Sequence, residues 1–248
     1  MTYGFLLYLL LGAAAGGLIN GFAGFGTALF TLGFWLQIMP PVQAVSMVVV
    51  TSVASGLQGL WVVRHSIADQ PARLARFLIP ALFGIPAGGA LLSVLDADIL
   101  KLTIAVFLIL YGSFFSIRRS LPKFQHRMPL GDTVVGFLGG VLGGAASLSG
   151  ALPTMWCALH PWSKTETRAV LQPFNVTVLS LAAVMFALNG VYTWQTIKLL
   201  AIVLPSTLIA SQIGIAAFKC LTDEQFRRAI IALMLVSGVS LLIAQLGA

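Results

Sequence analysis

Residues 20–31 read N-G-F-A-G-F-G-T-A-L-F-T, and this stretch decides how the rest of the chain is read. Gly21, Gly24 and Gly26 interrupt a long apolar run, with Thr27 and Thr31 just beyond. A glycine inside a helix costs about 1 kcal/mol relative to alanine. Three so close together predict a helix that is broken or closely approached. Within a membrane, broken backbone is tolerated only where protein buries it or a cavity adjoins it. The amides it frees can hold a ligand, and the N-terminus of a half-helix favours an anion. Residues 139–154 form a second such stretch, G-G-V-L-G-G-A-A-S-L-S-G-A-L-P-T. Two interrupted segments in matching positions of two halves point to a transporter's binding site.

Composition sets the solvent. Of 248 residues, 58% are hydrophobic and 8% charged, whereas a soluble domain carries about 25% charged residues. The chain reads as an all-α polytopic membrane protein. Its first apolar segment lacks a basic start and a small-residue cleavage site, so it reads as a retained helix. The net charge of +7 sits in short loops between apolar runs. That is the positive-inside pattern and not a nucleic-acid surface. Cys157 and Cys220 fall in different halves and read as packing residues, with no metal spacing and no disulfide framework.

Spans of about 20 apolar residues give ten segments in two sets. The first set is a (4–19), a short b (27–39), c (42–63), d (72–95) and e (99–117). The second is a′ (130–142), a short b′ (150–159), c′ (167–188), d′ (196–218) and e′ (226–246). The division is an N-terminal repeat 1–119, a basic cytoplasmic linker 120–129 and a C-terminal repeat 130–248. Landmarks recur in order: Gly21 and Gly24 with Gly140 and Gly143, and Leu78–Pro80 with Val203–Pro205. Placing the c–d, e–a′, b′–c′ and d′–e′ linkers in the cytoplasm leaves only Lys101 and Lys198 outside. The halves are then inverted-topology repeats of about five segments each, with both termini periplasmic. Segments a and b are either full crossings or a re-entrant pair.

The chemistry on offer is neutral. Every Asp and Glu lies at a segment end or in a linker, so no carboxylate is expected in mid-membrane, where proton pumps and metal transporters normally carry one. There is no H-E-x-x-H, no phosphate-binding loop, and no histidine and acid at the depth of Ser147–Gly150 to make a nucleophile motif of it. No enzyme, cofactor or metal is expected. Amides and hydroxyls remain, and they suit a small anion. The candidate substrate-binding residues are Asn20, Gly21, Gly24, Phe25, Gly26, Thr27 and Thr51 in the first half. In the second they are Gly143, Gly144, Ser147, Ser149, Gly150, Pro153, Thr154, Gln172 and Asn175. Gln172 and Asn175 share a helix face and flank Pro173, which frees a backbone carbonyl. The bland alternatives are that Ser and Thr bond their own helices, and that the glycines merely let helices approach. Arg168 is either a snorkelling or ion-paired interface residue or a cation drawing an anion into an inner vestibule. Asp132 is expected to pair with Arg168 or Arg127.

Three motifs carry a family likeness: G-F-A-G-F-G-T-A-L at residues 21–29, L-S-G-A-L-P-T at 148–154 and H-P-W-S-K-T-E-T-R-A at 160–169. In them the chain resembles the sulfite exporter TauE/SafE family over nearly its whole length. The resemblance implies a bacterial inner-membrane transporter of small sulfur-containing or organic anions such as sulfite, sulfonates or sulfoacetate. Ala145, Ala146 and Ser147 stand where the family often has glycine.

The expected protein is therefore a secondary transporter working by alternating access. Its anion site lies near the midplane, where breaks at 21–27 and 143–153 face each other. An anion channel is the alternative, followed by a membrane-embedded enzyme or a non-transporting subunit. The expected partners are the anion and the lipid bilayer. If protons are coupled, they travel on the substrate or on a histidine such as His160. Apolar flanks left by the short segments are compatible with a homodimer.

Overall fold

Apolar runs punctuated by glycine and proline produce helices wherever the backbone is described. The computed structural model describes residues 3–91, 128–146 and 149–246, with single positions at 106, 109 and 113. Most of segment e, nearly all of the basic linker, and Ser147 lie outside the described residues. In chain order the helices are α1 (Tyr3–Ala23), α2 (Thr27–Trp35), α3 (Pro41–Asp69), α4 (Pro71–Leu91), α5 (Pro129–Ala146), α6 (Ala151–Ala158), α7 (Lys164–Leu188), α8 (Trp194–Cys220) and α9 (Asp223–Leu246). No strand occurs among the described residues. Among the described residues, four helices are long and apolar enough to cross a membrane: Tyr3–Ala23, Val42–Asp69, Lys164–Leu188 and Trp194–Cys220. Trp61, Phe83, Leu188 and Ile243 stand exposed, a surface suited to acyl chains. Helices α2 and α6 have 9 and 8 residues. At 1.5 Å per residue they rise only about 12–14 Å and span nothing alone.

The chain forms two compact units, Met1–Val62 with Asn175–Cys220, and Val63–Phe174 with Leu221–Ala248. Two boundaries fall inside α3 and α7 and the third between α8 and α9, so each unit combines two separate stretches of the chain.

In the first unit α2 doubles back along α1. Trp35 Nε1 donates to Leu9 O at 3.0 Å, and Thr31 Oγ1 donates to Gly12 O at 3.0 Å. Thr27 lies against Gly16. The hairpin is tight because α1 offers glycine: a Cβ at Gly12 would come within 2.6 Å of Trp35 Nε1. Helix α8 packs on the other side of α1, where Gly17 and Gly21 meet the backbone of Thr207 and Ser211, and Gly214 meets Leu18. Close approach of this kind through small residues is how membrane helices associate when hydrophobic burial is not available as a driving force. Leu9, Trp35, Met47, Leu199 and Val203 fill the core beside the hairpin.

The second unit repeats these devices. Helix α6 doubles back along α5, with Pro153 against Gly139 and the Trp156 ring against Gly131. Helix α4 packs on α5 where Gly136, Gly140 and Gly144 meet the backbone of Phe77, Ala81 and Ile85, and Gly84 meets Phe137. Helix α7 begins with a capping box. Glu166 N donates to Ser163 Oγ at 3.1 Å, and Ser163 N donates to Glu166 Oε2 at 2.9 Å. Thr222 and Gln225 cap α9 in the same way. Arg73 ties α4 to this start through a 3.0 Å ion pair with Glu166 and covers the Trp162 ring at 4.3 Å.

Candidate functional site

The first break lies at Gly24–Gly26. Gly24 N donates to Asn20 O at 2.8 Å and closes α1. Gly24 has φ 84° and Gly26 has φ 90°, a left-handed conformation that glycine adopts without the steric penalty other residues incur. Phe25 between them is buried, and Thr27 opens α2. Gly21, expected in the break, is instead helical. Its place is in the packing of α1 on α8. The second break comes after Ala146, so Gly143 and Gly144 are also helical, and Gly144 packs on Ile85. Ser149 and Gly150 form the turn before α6, and Gly150 has an ordinary φ of −81°. Pro153 sits in the first turn of α6, where its missing N–H costs nothing.

The hydroxyls sort into two groups. Thr51 donates to Met47 O and Val48 O at 3.0 Å each, and Thr154 donates to Gly150 O at 2.6 Å. Both are committed to their own helices, the bland reading. Thr27 Oγ1, Ser52 Oγ and Ser211 Oγ are buried and meet no hydrogen-bond partner. Asn20 is fully buried, with Nδ2 donating to Ser52 O at 2.9 Å and Ser55 Oγ at 2.6 Å, while Oδ1 meets no partner. A buried polar atom in that state is costly and marks a place to look for a ligand. Ser52 and Ser211 are polar positions at depth that pattern alone did not single out; the arrangement of helices around α1 does.

In the second unit Arg168 is 0% exposed, which rules out snorkelling. Its Nε donates to Gln172 Oε1 at 3.1 Å, and Gln172 Nε2 meets no partner. Gln172 belongs to the second unit and Asn175, also buried, to the first. Asp132 accepts from Trp156 Nε1 at 2.8 Å and lies 3.9 Å from Arg76; Arg127 lies outside the described residues. His160 stacks on Trp162 with ring centroids 4.6 Å apart, and its Nδ1 lies 2.9 Å from Trp156 O. A carbonyl only accepts, so that nitrogen carries the proton. Arg227 Nη2 donates to His160 O at 3.0 Å. The described residues hold no group of three or more His, Cys, Asp or Glu placed to bind a metal.

Apolar helices of spanning length, two short helices doubled back on glycine-bearing neighbours and buried neutral polar groups define a polytopic membrane protein with the parts of a transporter. The chain belongs to the sulfite exporter TauE/SafE family, whose model matches residues 8–241. Membership implies a membrane transporter of sulfite-type anions. No curated protein and no solved structure matches the chain.

Proposed function

We propose that this protein is a secondary transporter of the bacterial inner membrane that moves small sulfur-containing or organic anions, of the sulfite, sulfonate or sulfoacetate kind, by alternating access between two inverted repeats. One observation carries the reading: the doubled-back helix pair occurs twice with matching contacts. Gly12 lies under Trp35 in the first unit, and Gly131 lies under Trp156 in the second. These glycines are 119 residues apart, as are Gly17 and Gly136, and Gly21 and Gly140. On the facing helices the contacts recur at a spacing of 130: Thr207 for Phe77, Ser211 for Ala81, Gly214 for Gly84. Pro80 and Pro205, 125 apart, fall outside that register. Basic residues at 64, 73, 76, 164, 168, 219, 227 and 228 support a cytoplasmic placement of their linkers and periplasmic termini.

Each hairpin offers this chemistry within its own unit. A short helix following a break directs unpaired amides and the positive end of its dipole at an anion. In the first unit these are the amides that open α2 at Thr27. In the second they are the amides that open α6 at Ala151, with the Gln172 Nε2 donor in the same unit.

The test is flux of sulfite, thiosulfate, sulfonates and carboxylates in proteoliposomes. Saturable uptake with counterflow of labelled substrate is expected for at least one anion. Gly24→Leu puts a branched side chain at a left-handed position and is expected to abolish that flux. Unsaturable flux without counterflow indicates a channel, and full flux in Gly24→Leu removes the hinge from the mechanism.

A further inference from the structure

The amide of Asn20 faces the wrong way for an anion. Ser52 O can only accept, so the Asn20 atom 2.9 Å from it is the nitrogen. Ser55 Oγ uses its own proton on Thr51 O at 2.7 Å and therefore also accepts from that nitrogen at 2.6 Å. Turning the amide over would set its oxygen against a carbonyl oxygen. Both amide protons are thus engaged, and what Asn20 presents is Oδ1, a bare acceptor that is fully buried. A bare acceptor repels an anion and attracts a cation.

The surroundings agree. Ser52 Oγ and Thr27 Oγ1 are 1% and 2% exposed and also meet no partner. Thr27 packs on Gly16, one turn before Asn20 on the same face of α1. The last carbonyls of α1 lie beyond its final intrahelical bond, at the negative end of the helix dipole. The residues of this unit, 1–62 and 175–220, include no Asp or Glu.

We propose that Asn20 Oδ1, Ser52 Oγ, Thr27 Oγ1 and the last carbonyls of α1 bind a small monovalent cation, sodium being the alkali ion that suits such a site. Hard neutral oxygens with no carboxylate fit this class. A divalent ion would sit there with its charge uncompensated, and a transition metal seeks nitrogen or sulfur. Unwound carbonyls and half-helix C-termini are recurrent sodium ligands in transporters. The hinge at Gly24–Gly26 then separates two polarities, with the end of α1 taking the cation and the start of α2 the anion. That the cation drives the anion rests on the transport reading; its binding does not.

The full-length protein in detergent, without added anion substrate, is unfolded thermally while sodium chloride replaces choline chloride at constant ionic strength. A saturable rise in Tm with sodium is expected. Ser52→Ala removes an oxygen that has no hydrogen bond to lose and leaves the carbonyl that holds Asn20. It is expected to fold and to weaken the apparent sodium affinity roughly tenfold or more. Asn20→Leu is expected to abolish the response. The same Tm in sodium and choline, or an unchanged sodium response in Ser52→Ala, overturns the site. Because no flux is read, failure of the transport assay and failure of this site are told apart.

Discussion

Gly21→Ala tests whether the glycines of α1 are packing surfaces. A Cβ at Gly21 would lie 2.7 Å from Ser211 Cα and closer still to Ser211 O. These are backbone atoms of α8, so no side chain can swing aside. Relief requires the helices to part by about 1 Å, and overpacking of this kind costs typically 1–3 kcal/mol. Alanine returns about 1 kcal/mol through its better helix propensity, so the expected net loss is about 0–2 kcal/mol. Gly33→Ala is the matched control. Gly33 is helical, and a Cβ there meets nothing within 4 Å, so the same exchange is expected to stabilise by about 0.5–1 kcal/mol. The two variants therefore differ by about 0.5–3 kcal/mol with Gly21→Ala the lower, or roughly 1–12 °C at 2–4 °C per kcal/mol for a chain of this size. Thermal unfolding in one detergent, followed by tryptophan fluorescence, reads the difference. Equal Tm values, or Gly21→Ala above Gly33→Ala, would refute the close approach of α1 and α8.

Two further changes probe the second unit. Trp156→Phe removes the donor held 2.8 Å from the buried Asp132 carboxylate. It should cost about 1–3 kcal/mol in equilibrium unfolding, and an unchanged midpoint would dissolve the pair. Ser163→Ala deletes half of the capping box of α7 and should cost about 1 kcal/mol. Because Glu166 also holds Arg73 at 3.0 Å, a double-mutant cycle of Ser163→Ala with Glu166→Gln is expected to be non-additive; strict additivity would show that the two contacts act separately.

Much of this molecule is decided by local chemistry and is legible without coordinates. Apolar length sets the solvent and the helices. Segment b, bounded by Gly26 and by Pro40 and Pro41, has to be short, and α2 is. The clustered glycines announced a break, and Gly24 and Gly26 carry it through positive φ. What pattern could not do was sort hinge glycines from packing glycines. Gly21 and Gly144 look the same in sequence as Gly24. They differ only because a second helix lies against them, Ser211 at one and Ile85 at the other.

Partner choice was likewise a tertiary matter. Helices that are apolar nearly all round carry no face that names a neighbour, so nothing local in α1 points to α8, whose contact residues lie 190 positions away at Gly17 and Thr207. Asn20 shows the same limit at the scale of one side chain. Sequence places an amide at depth, and an amide can serve an anion or a cation. The carbonyl of Ser52, brought to 2.9 Å by packing, chooses which end is presented. Chain composition sets what the residues can do in lipid; which of a side chain's two polarities is left over depends on the partner that tertiary contact supplies.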